Sequence, residues 1–179
     1  MINLSEYKSS YKHPNIFKRL CWLFISILIF ENGIPFPSRF KIWILNLFGS
    51  NVSKNVVIKP NVKIKYPSLL EIGENSWIGE HVWIDNLGYV KIGCNCCISQ
   101  GAYLLTGNHN YKKTTFDLIV KNIEIKNGAW VGAKAVVCPG VTINEHAVLA
   151  VGSIANNDLQ KNCIYQGNPA TLKKIRVIE

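Results

Sequence analysis

The chain holds four histidines, the side chains best suited to proton transfer near neutral pH, because a free imidazole has a pKa near 6.5. His13 lies in a basic N-terminal segment, directly before Pro14. His81 and His146 each follow an aliphatic residue by three positions, whereas His109 stands at the start of a segment that interrupts the aliphatic pattern. A histidine at any of these places could act as a general base or serve only as a structural side chain.

Six cysteines are the other side chains with potential chemistry. Cys94, Cys96 and Cys97 are close together, but no second pair follows at the spacing of a zinc site. The first twelve residues are mostly polar and lack the apolar core of a secretory signal. We therefore expect a cytoplasmic protein with reduced, structural thiols and no metal, in which Cys96 packs in the interior and is not a nucleophile.

The elements that must position these side chains follow from a repeat of six residues. From residue 52 onward an aliphatic residue, here called an anchor, recurs at every sixth position, and a small or β-branched residue usually follows it by four. This period fits neither an α-helix nor an alternating strand. It fits a triangular coil of three hexads, each with one strand and one corner, and so predicts an all-β solenoid. The anchors are Val52, Ile58, Ile64, Ile72, Ile78, Ile84, Ile92, Ile98, Leu104, Ile125, Val131, Val137, Ile143 and Leu149.

The repeat is interrupted in three places. The anchors that follow Ile64 and Ile84 come after eight residues instead of six, which predicts one corner widened by two residues in successive coils. The anchor after Leu104 comes after twenty-one residues, which predicts a loop at about 107–122. Long loops on a rigid solenoid often carry function. The predicted organisation is an N-terminal helical segment (1–50), a solenoid (51–160) and a basic C-terminal tail (161–179).

The N-terminal segment holds most of the chain's excess positive charge. Residues 1–65 contain ten lysines and arginines against two glutamates, a net of +8, whereas the rest of the chain is nearly balanced. Within it, the apolar run LCWLFISILIF (20–30) is shorter than the roughly 20 residues of a spanning helix. Two interpretations stay open: a helix that caps the first coil, or peripheral contact of residues 14–48 with the inner face of a membrane. Nucleic acid is not an expected partner.

Longer motifs accompany the hexads. They are WIGEHVWIDNLGYVKIG (77–93), TGNHNY (106–111), TFDLIV (115–120), GAWVGAKAVVCPGVTI (128–143) and GNPA (167–170). In this order the chain resembles the hexapeptide-repeat acyltransferases over about residues 36–176. Within that family it is most similar to the xenobiotic, maltose and galactoside acetyltransferase branch, and there to the colanic acid biosynthesis acetyltransferases.

The resemblance implies a left-handed parallel β-helix with a short N-terminal helical segment and a protruding loop. It also implies a homotrimer with coenzyme A between neighbouring solenoids, and a loop histidine, here His109, as the general base. In such enzymes a polar side chain from the preceding coil orients the base or binds the acceptor. Asp85 and Asn86 lie in that region, although both could instead only shape the wide corner.

The acetyl-CoA site is expected where small side chains let the pantetheine arm approach the backbone and cations meet the phosphates. By resemblance, Ala133 and Val151 occupy positions at which relatives contact the arm. Ordinary repeat residues and a solvated cluster of charges are the alternatives. The expected contacts are Trp130, Gly132, Ala133, Lys134, Val151, Gly152, Lys173 and Lys174, with Arg176 close by.

The implied activity is acetyl-CoA-dependent O-acetylation of a sugar hydroxyl in bacterial surface polysaccharide biosynthesis. Transfer from a thioester needs a base and oxyanion donors, but no covalent nucleophile. Other interpretations are transfer to an amine such as an amino sugar, transfer of another acyl group, and a non-catalytic β-helix scaffold. A zinc-dependent γ-class carbonic anhydrase is disfavoured, because its closely spaced histidine pair is missing. His109 does not separate hydroxyl from amine acceptors, since both need a base.

Overall fold

A computed structural model describes residues 2–7 and 11–178. The N-terminal part contains a 3₁₀ turn (Leu4–Glu6), helix α1 (Ile16–Ile25), which continues as a π-helical turn (Ser26–Phe30), and helix α2 (Ser38–Leu47). Helix α1 begins at Asn15, whose side-chain oxygen accepts hydrogen bonds from two backbone N–H groups of the first turn. Over these described ranges, no helix is long and apolar enough to cross a membrane.

After α2 the regular elements are short strands joined by turns, apart from a 3₁₀ turn at Pro67–Leu69. The strands are β1 (Asn51–Val52), β2 (Val57–Ile58), β3 (Lys63–Ile64), β4 (Leu70–Ile72), β5 (Trp77–Ile78), β6 (Trp83–Asp85), β7 (Val90–Ile92), β8 (Cys97–Ile98), β9 (Tyr103–Leu105), β10 (Gly107–His109), β11 (Leu118–Val120), β12 (Ile123–Ile125), β13 (Trp130–Val131), β14 (Val136–Val137), β15 (Thr142–Ile143), β16 (Val148–Leu149), β17 (Ile154–Ala155), β18 (Cys163–Gly167) and β19 (Ala170–Ile175).

Apart from β10 and β11, which form a separate two-stranded sheet, the strands form three sheets that each take one strand from each of five coils. Sheet A is β1-β4-β7-β12-β15, sheet B is β2-β5-β8-β13-β16-β18-β19, and sheet C is β3-β6-β9-β14-β17. Pairing is parallel throughout these sheets except for the final hairpin of β18 and β19. The chain is therefore a left-handed parallel β-helix, which confirms the expected fold.

The anchors fill the interior of the β-helix and stack in register. On sheet A, for example, Val52 pairs with Ile72, Ile72 with Ile92, and Ile92 with Ile125. Every anchor is buried. Burying one such side chain contributes about 1.5–3 kcal/mol, so the columns of anchors account for much of the stability of the coils.

The corners between sheets A and B and between sheets B and C turn on one residue, the third after each anchor. Its φ is positive, a conformation that Gly and Asn adopt most readily. Gly73, which directly follows an anchor, has a different role from these corner residues. A Cβ added there would lie 2.7 Å from the backbone nitrogen of Cys94, so the glycine permits close approach of two coils. The positive-φ corner residues are Asn55, Asn75, Asn95, Gly128 and His146 after sheet A, and Asn61, His81, Gly101, Lys134 and Gly152 after sheet B.

The corner between sheets C and A carries the irregular features of the β-helix. The first coil widens there through the 3₁₀ turn Pro67–Leu69, and the second through residues 86–88. In the third coil the chain leaves the same corner as an antiparallel hairpin of β10 and β11, which is the expected protruding loop. The interruptions of the repeat therefore share one edge of the molecule.

The N-terminal helices cap the open end of the first coil. In later coils each anchor carbonyl accepts a hydrogen bond from the backbone N–H of the preceding coil, as when Lys59 N–H donates to Ile78. The first coil has no preceding coil, and three side chains of the helical segment donate instead. These pairs are Trp22 Nε1 to the Ile64 carbonyl (2.7 Å), Lys41 Nζ to the Ile58 carbonyl (3.3 Å) and Asn46 Nδ2 to the Val52 carbonyl (2.9 Å). Each sheet thus has one donor in the cap.

Candidate active site

The hairpin places His109 at the end of β10. His109 pairs with Leu118 across the hairpin, and beyond this pair the Asn110 N–H donates to the Asp117 carbonyl over 2.8 Å. The tip is fixed further by the Lys113–Asp117 ion pair of 2.8 Å and by the Thr115 hydroxyl, which donates to Asp117. The hydrogen bonds from Lys113 and Thr115 hold the pKa of the Asp117 carboxyl below its ordinary value.

The imidazole of His109 is oriented by a residue of the same loop. Its Nδ1 lies 2.9 Å from the carbonyl oxygen of Phe116, and the two rings stack with centroids 4.4 Å apart and planes 6° apart. Because a carbonyl oxygen only accepts hydrogen bonds, Nδ1 carries the proton in the neutral ring and Nε2 presents a lone pair. Phe116 has a φ of 50°, which is uncommon for an aromatic residue and turns its carbonyl within the loop.

Asp85 and Asn86, the expected assistants of the base, lie on the wide corner one coil before the hairpin. The fully buried Asn86 amide bonds to the backbone N–H and carbonyl of Tyr66 and thus joins two coils. The Asp85 carboxylate accepts from Lys65 over 2.8 Å and from the Tyr103 hydroxyl over 3.3 Å. Among the hydrogen bonds of the described residues, none joins either side chain to His109.

Asp85 also faces a cavity of about 350 Å³ between α1 and sheet C. The cavity has an apolar wall from α1, and sheet C contributes Trp83, whose ring stacks on that of Tyr103 behind it with centroids 4.6 Å apart. Burial and the nearby Asp85 carboxylate raise the pKa of Tyr103 to about 12, so its hydroxyl remains a donor at neutral pH. Charged side chains of both signs complete the lining: Arg19, Glu31, Lys63, Lys65 and Asp85.

The expected acetyl-CoA contacts gather at the corner between sheets B and C. Gly132, Ala133 and Lys134 form this corner in the fourth coil, and Val151 and Gly152 form it in the fifth. The Gly152 N–H donates to the Ala133 carbonyl over 2.9 Å, and a Cβ added to Gly152 would meet no atom within 4 Å. Small residues therefore leave this corner open to a ligand.

Three further expected contacts flank this corner. Trp130 is exposed on sheet B and donates its Nε1–H to the Ser99 hydroxyl over 2.8 Å. Lys173 and Lys174 are exposed on β19. Arg176 differs from them, because its guanidinium donates to the carbonyls of Gly128 and His146, at 3.1 and 3.0 Å, and so ties the C-terminal hairpin to the solenoid.

The two groups of expected site residues lie on different corners of one chain. His109 belongs to the corner between sheets C and A, whereas Ala133 and Gly152 belong to the corner between sheets B and C. Sheet C separates them. A single chain therefore does not bring these two corners together.

Comparison with known proteins shows the family. No family model matches the chain. WcaF of Escherichia coli (strain K12), provisionally named as a colanic acid biosynthesis acetyltransferase, is 35% identical over 167 residues, which cover 93% of this chain and 92% of WcaF. The chain belongs to the hexapeptide-repeat acetyltransferases. The expected family and enzyme class are thereby confirmed.

Two other comparisons place this acetyltransferase among its relatives. The galactoside O-acetyltransferase of Escherichia coli (strain K12) is 31% identical over 123 residues, which cover 67% of this chain and 61% of that enzyme. A crystal structure of a hexapeptide-repeat acetyltransferase of Vibrio cholerae in complex with acetyl coenzyme A has a TM-score of 0.80 at 20% identity. It covers 99% of this chain and 100% of that one, so the two share the fold along their whole length.

The six cysteines of this acetyltransferase are free thiols in the structure. Cys96 is buried, with its Sγ 3.1 Å from the Lys126 carbonyl, and burial raises the pKa of its thiol to about 11. A thiol of that pKa is not a nucleophile at neutral pH. Within residues 2–7 and 11–178, no cluster of histidine, cysteine and acidic side chains could hold a metal ion.

Sequence reasoning missed the N-terminal arm at this acetyltransferase's hairpin. The Asn3 N–H donates to the Thr114 carbonyl over 2.9 Å, and the ring of Tyr7 lies 5.8 Å from that of His109. Closer to α1, the Tyr11 hydroxyl donates to the Leu87 carbonyl over 2.6 Å. Residues before the first hexad therefore line the wide corner, and no periodic pattern in the sequence indicates this.

Proposed function

We propose that this chain is an acetyl-CoA-dependent O-acetyltransferase that modifies a sugar hydroxyl in the biosynthesis of a bacterial surface polysaccharide, with His109 as the general base. The hydrogen bond from His109 Nδ1 to the Phe116 carbonyl carries the proposal, because it leaves Nε2 free to accept a proton. The names of two relatives support the acceptor, since one is assigned to colanic acid biosynthesis and the other to galactoside O-acetylation.

The proposed reaction is a direct transfer. Acetyl-CoA supplies an acetyl group already activated as a thioester. As the acceptor hydroxyl oxygen bonds to the acetyl carbonyl carbon, His109 Nε2 takes the hydroxyl proton. The carbon–sulfur bond then breaks, and the same nitrogen returns the proton to the departing thiolate, which yields an acetyl ester and free CoA. A positioned base of this kind contributes about 10²–10⁴-fold to the rate.

The open corner between sheets B and C is the proposed acetyl-CoA site. The small side chain of Ala133 and the absence of a side chain at Gly152 leave the backbone accessible there, so that a pantetheine arm could lie along the coils. Gly132 instead lets the next coil approach, because a Cβ there would lie 2.6 Å from the Val151 nitrogen. The exposed ammonium groups of Lys173 and Lys174 supply the positive charge that phosphates require. The complex of the Vibrio cholerae relative with acetyl coenzyme A supports this ligand.

A homotrimer would complete the proposed site. The outward residues of sheet A are polar, as in Glu71 and Lys91, which form an ion pair of 3.5 Å. Sheets B and C instead present apolar and aromatic side chains outward, including exposed Trp77 and Trp83. Two different apolar faces on one chain favour a closed ring in which sheet B of one chain meets sheet C of the next. We propose that residues of a neighbouring chain in such a trimer complete the acetyl-CoA site.

We place the acceptor at the cavity beside Asp85. The Trp83 ring lies between Tyr103 and the Lys63 ammonium, so its exposed edge offers an apolar contact for a sugar, and the Asp85 carboxylate offers an acceptor for sugar hydroxyls. The Asp85 carbonyl accepts from the Thr106 N–H, one residue before the hairpin begins. The cavity and the catalytic loop therefore share the same corner. Asn86 would contribute by fixing that corner through its bonds to Tyr66.

The test is the release of free CoA from acetyl-CoA with a panel of sugars, oligosaccharides and amino sugars. Wild type, His109→Ala and His81→Asn are compared, since asparagine occupies several corners equivalent to that of His81. We expect acceptor-dependent release that falls by about a hundredfold or more in His109→Ala and is unchanged in His81→Asn. Release only with amino sugars would show N-acetylation instead, and full activity in His109→Ala would remove this residue from the mechanism.

A further inference from the structure

The helical cap leaves a large apolar surface uncovered. Helix α1 and its π-helical turn bury Trp22, Ser26 and Phe30 against the first coil. The side turned away from the coil carries seven large apolar residues and no charged one, at spacings that keep them on one side of a helix. These residues are Ile16, Phe17, Leu20, Leu23, Phe24, Ile27 and Leu28, all exposed.

Helix α2 has an exposed apolar side of its own. It buries Lys41, Ile44 and Leu45 against the first coil and exposes Phe40, Trp43 and Leu47, which lie three and four residues apart. The two helices are joined at Trp22, whose ring centroid lies 5.3 Å from that of Phe48, just after α2. We call the exposed apolar residues of α1, its π-helical turn and α2 the cap face. Exposed apolar patches of this kind mark interaction sites.

Cationic side chains lie at the edges of the cap face. Lys18 and Arg19 lie on α1 beside its apolar side, and Arg39 lies in the first turn of α2. The wider N-terminal region, residues 1–65, has a net charge of +8 from ten basic and two acidic residues. An apolar side bordered by cations is typical of helices that lie in the interface of an anionic membrane.

We propose that the cap face docks on the surface of an anionic lipid bilayer, with its apolar side chains inserted among the lipids. A spanning arrangement is excluded for α1, because its other side is packed on the β-helix through Trp22 and Phe30. A second copy of this chain is disfavoured as the occupant, because face-to-face pairing would bring the exposed cations Lys18 and Arg39 of two chains together. An anionic bilayer complements both the charge and the apolar side chains.

The docked orientation has a consequence for the acceptor. Ile16, Leu20 and Leu23 belong to the cap face and also line the cavity beside Asp85. The cavity would then open next to the membrane surface. A sugar carried on a membrane lipid could enter it while its lipid chain stays in the bilayer. This consequence rests on the proposed function, whereas membrane docking itself does not.

The experiment is co-sedimentation of the full chain with vesicles, without acetyl-CoA or acceptor, so that its outcome is independent of the enzymatic proposal. The vesicles are phosphatidylcholine alone or phosphatidylcholine with about one-third phosphatidylglycerol. We expect wild type to bind the anionic vesicles at low salt, to bind less at high salt, and to bind neutral vesicles weakly. Absence of wild-type binding to anionic vesicles at low salt would overturn the proposal.

A matched pair of double variants locates the binding surface. Phe17→Glu with Phe24→Glu changes two residues of the cap face that are 72% and 67% exposed. Val177→Glu with Ile178→Glu makes the same change in charge at residues after β19 that are 82% and 59% exposed. We expect partitioning to fall at least about tenfold more in the cap-face variant than in the C-terminal variant, with circular dichroism unchanged in both. An equal loss of vesicle binding in both variants would show that the added negative charge alone reduces binding, and would overturn docking through the cap face.

Light scattering of the same proteins tests for a second copy on the cap face. We expect wild type and the cap-face variant to have the same molar mass in solution. A wild-type mass two or three times that of the cap-face variant would show that another copy covers this surface, and docking on a membrane would then be rejected.

Discussion

The Nδ1 atom of His109 lies 2.9 Å from the carbonyl oxygen of Phe116, seven residues later in the same hairpin. The orienting group of the proposed base is therefore a backbone atom of its own loop, and the preceding coil does not supply it. The Phe116 ring also stacks on the imidazole, so one residue fixes both the tautomer and the plane of the histidine. The rate of transfer should then depend on the geometry of the hairpin tip.

We predict that Phe116→Ala lowers kcat about tenfold and leaves the KM for acetyl-CoA unchanged. The backbone carbonyl persists in this variant, but the stacked ring that holds the imidazole plane is lost, and small misplacements of a base are costly. Phe116→Tyr keeps the ring and should restore the wild-type rate. Steady-state kinetics of the three proteins check this, and a rise in KM without a change in kcat would show that Phe116 serves binding instead.

Asp85 provides a second prediction, because its carboxylate faces the proposed acceptor cavity. Asp85→Asn should raise the KM for the sugar acceptor about tenfold or more, since a hydrogen bond to a charged group contributes about 1.5–3 kcal/mol. The KM for acetyl-CoA should stay the same. Lys65→Met is the control, because it removes the ion pair with Asp85 but keeps the carboxylate. If both variants affect the acceptor equally, the ion pair matters and a direct contact of Asp85 is not supported.

The fold could be predicted from the sequence because every hexad meets the same physical demand. An anchor such as Ile78 has to fill the interior between two coils, and the third residue after it has to turn the chain with a positive φ. Because these two requirements recur in every hexad, the six-residue period can be recognised in the sequence alone. The identity of the corner residue is less informative, because Lys134 adopts the same φ of about 55° as Asn and His at equivalent corners.

The site could be predicted only in part, because its contacts are not periodic. His109 is conspicuous at the interruption of the repeat, but its partner is a main-chain carbonyl, and no side-chain type at position 116 indicates that bond. The sequence instead favours polar side chains of the preceding coil as partners of the base, but the amide of Asn86 forms hydrogen bonds to the backbone of Tyr66 and so links two coils. Likewise, the approach of Tyr7 to the hairpin depends on the path of an arm without a repeat.

The cap of the first coil gives a prediction on stability. Trp22→Phe keeps an aromatic ring in the core but removes the N–H that donates to the Ile64 carbonyl over 2.7 Å. The buried carbonyl is left without that donor, so the free energy of unfolding should fall by about 1–3 kcal/mol. Trp130→Phe is the matched control, because its hydrogen bond to Ser99 is exposed and its loss should cost less. Urea unfolding measures both, and equal losses would contradict the role of Trp22 in the cap.

Lys41 makes the cap sensitive to pH. Its side chain is fully buried, with Nζ 3.0 Å from the Lys59 carbonyl, and burial lowers the pKa of its ammonium group below the ordinary 10.5. Between the lowered pKa of the folded state and 10.5, the unfolded chain binds the proton more often than the folded one. Stability from this group therefore rises with pH across that window and is lost as the pH falls through the folded pKa.

The corresponding test compares wild type with Lys41→Met, which has no ionisable group at this position. Other groups that titrate in the alkaline range, such as Tyr103, are present in both proteins and cancel in the difference. The free energy of unfolding of wild type minus that of Lys41→Met should increase as the pH is raised from neutral towards 10.5. Urea unfolding at several pH values measures this difference. A difference that stays constant with pH would mean that the Lys41 pKa is the same in the folded and unfolded chain, and that the cap holds its ammonium group without an electrostatic cost.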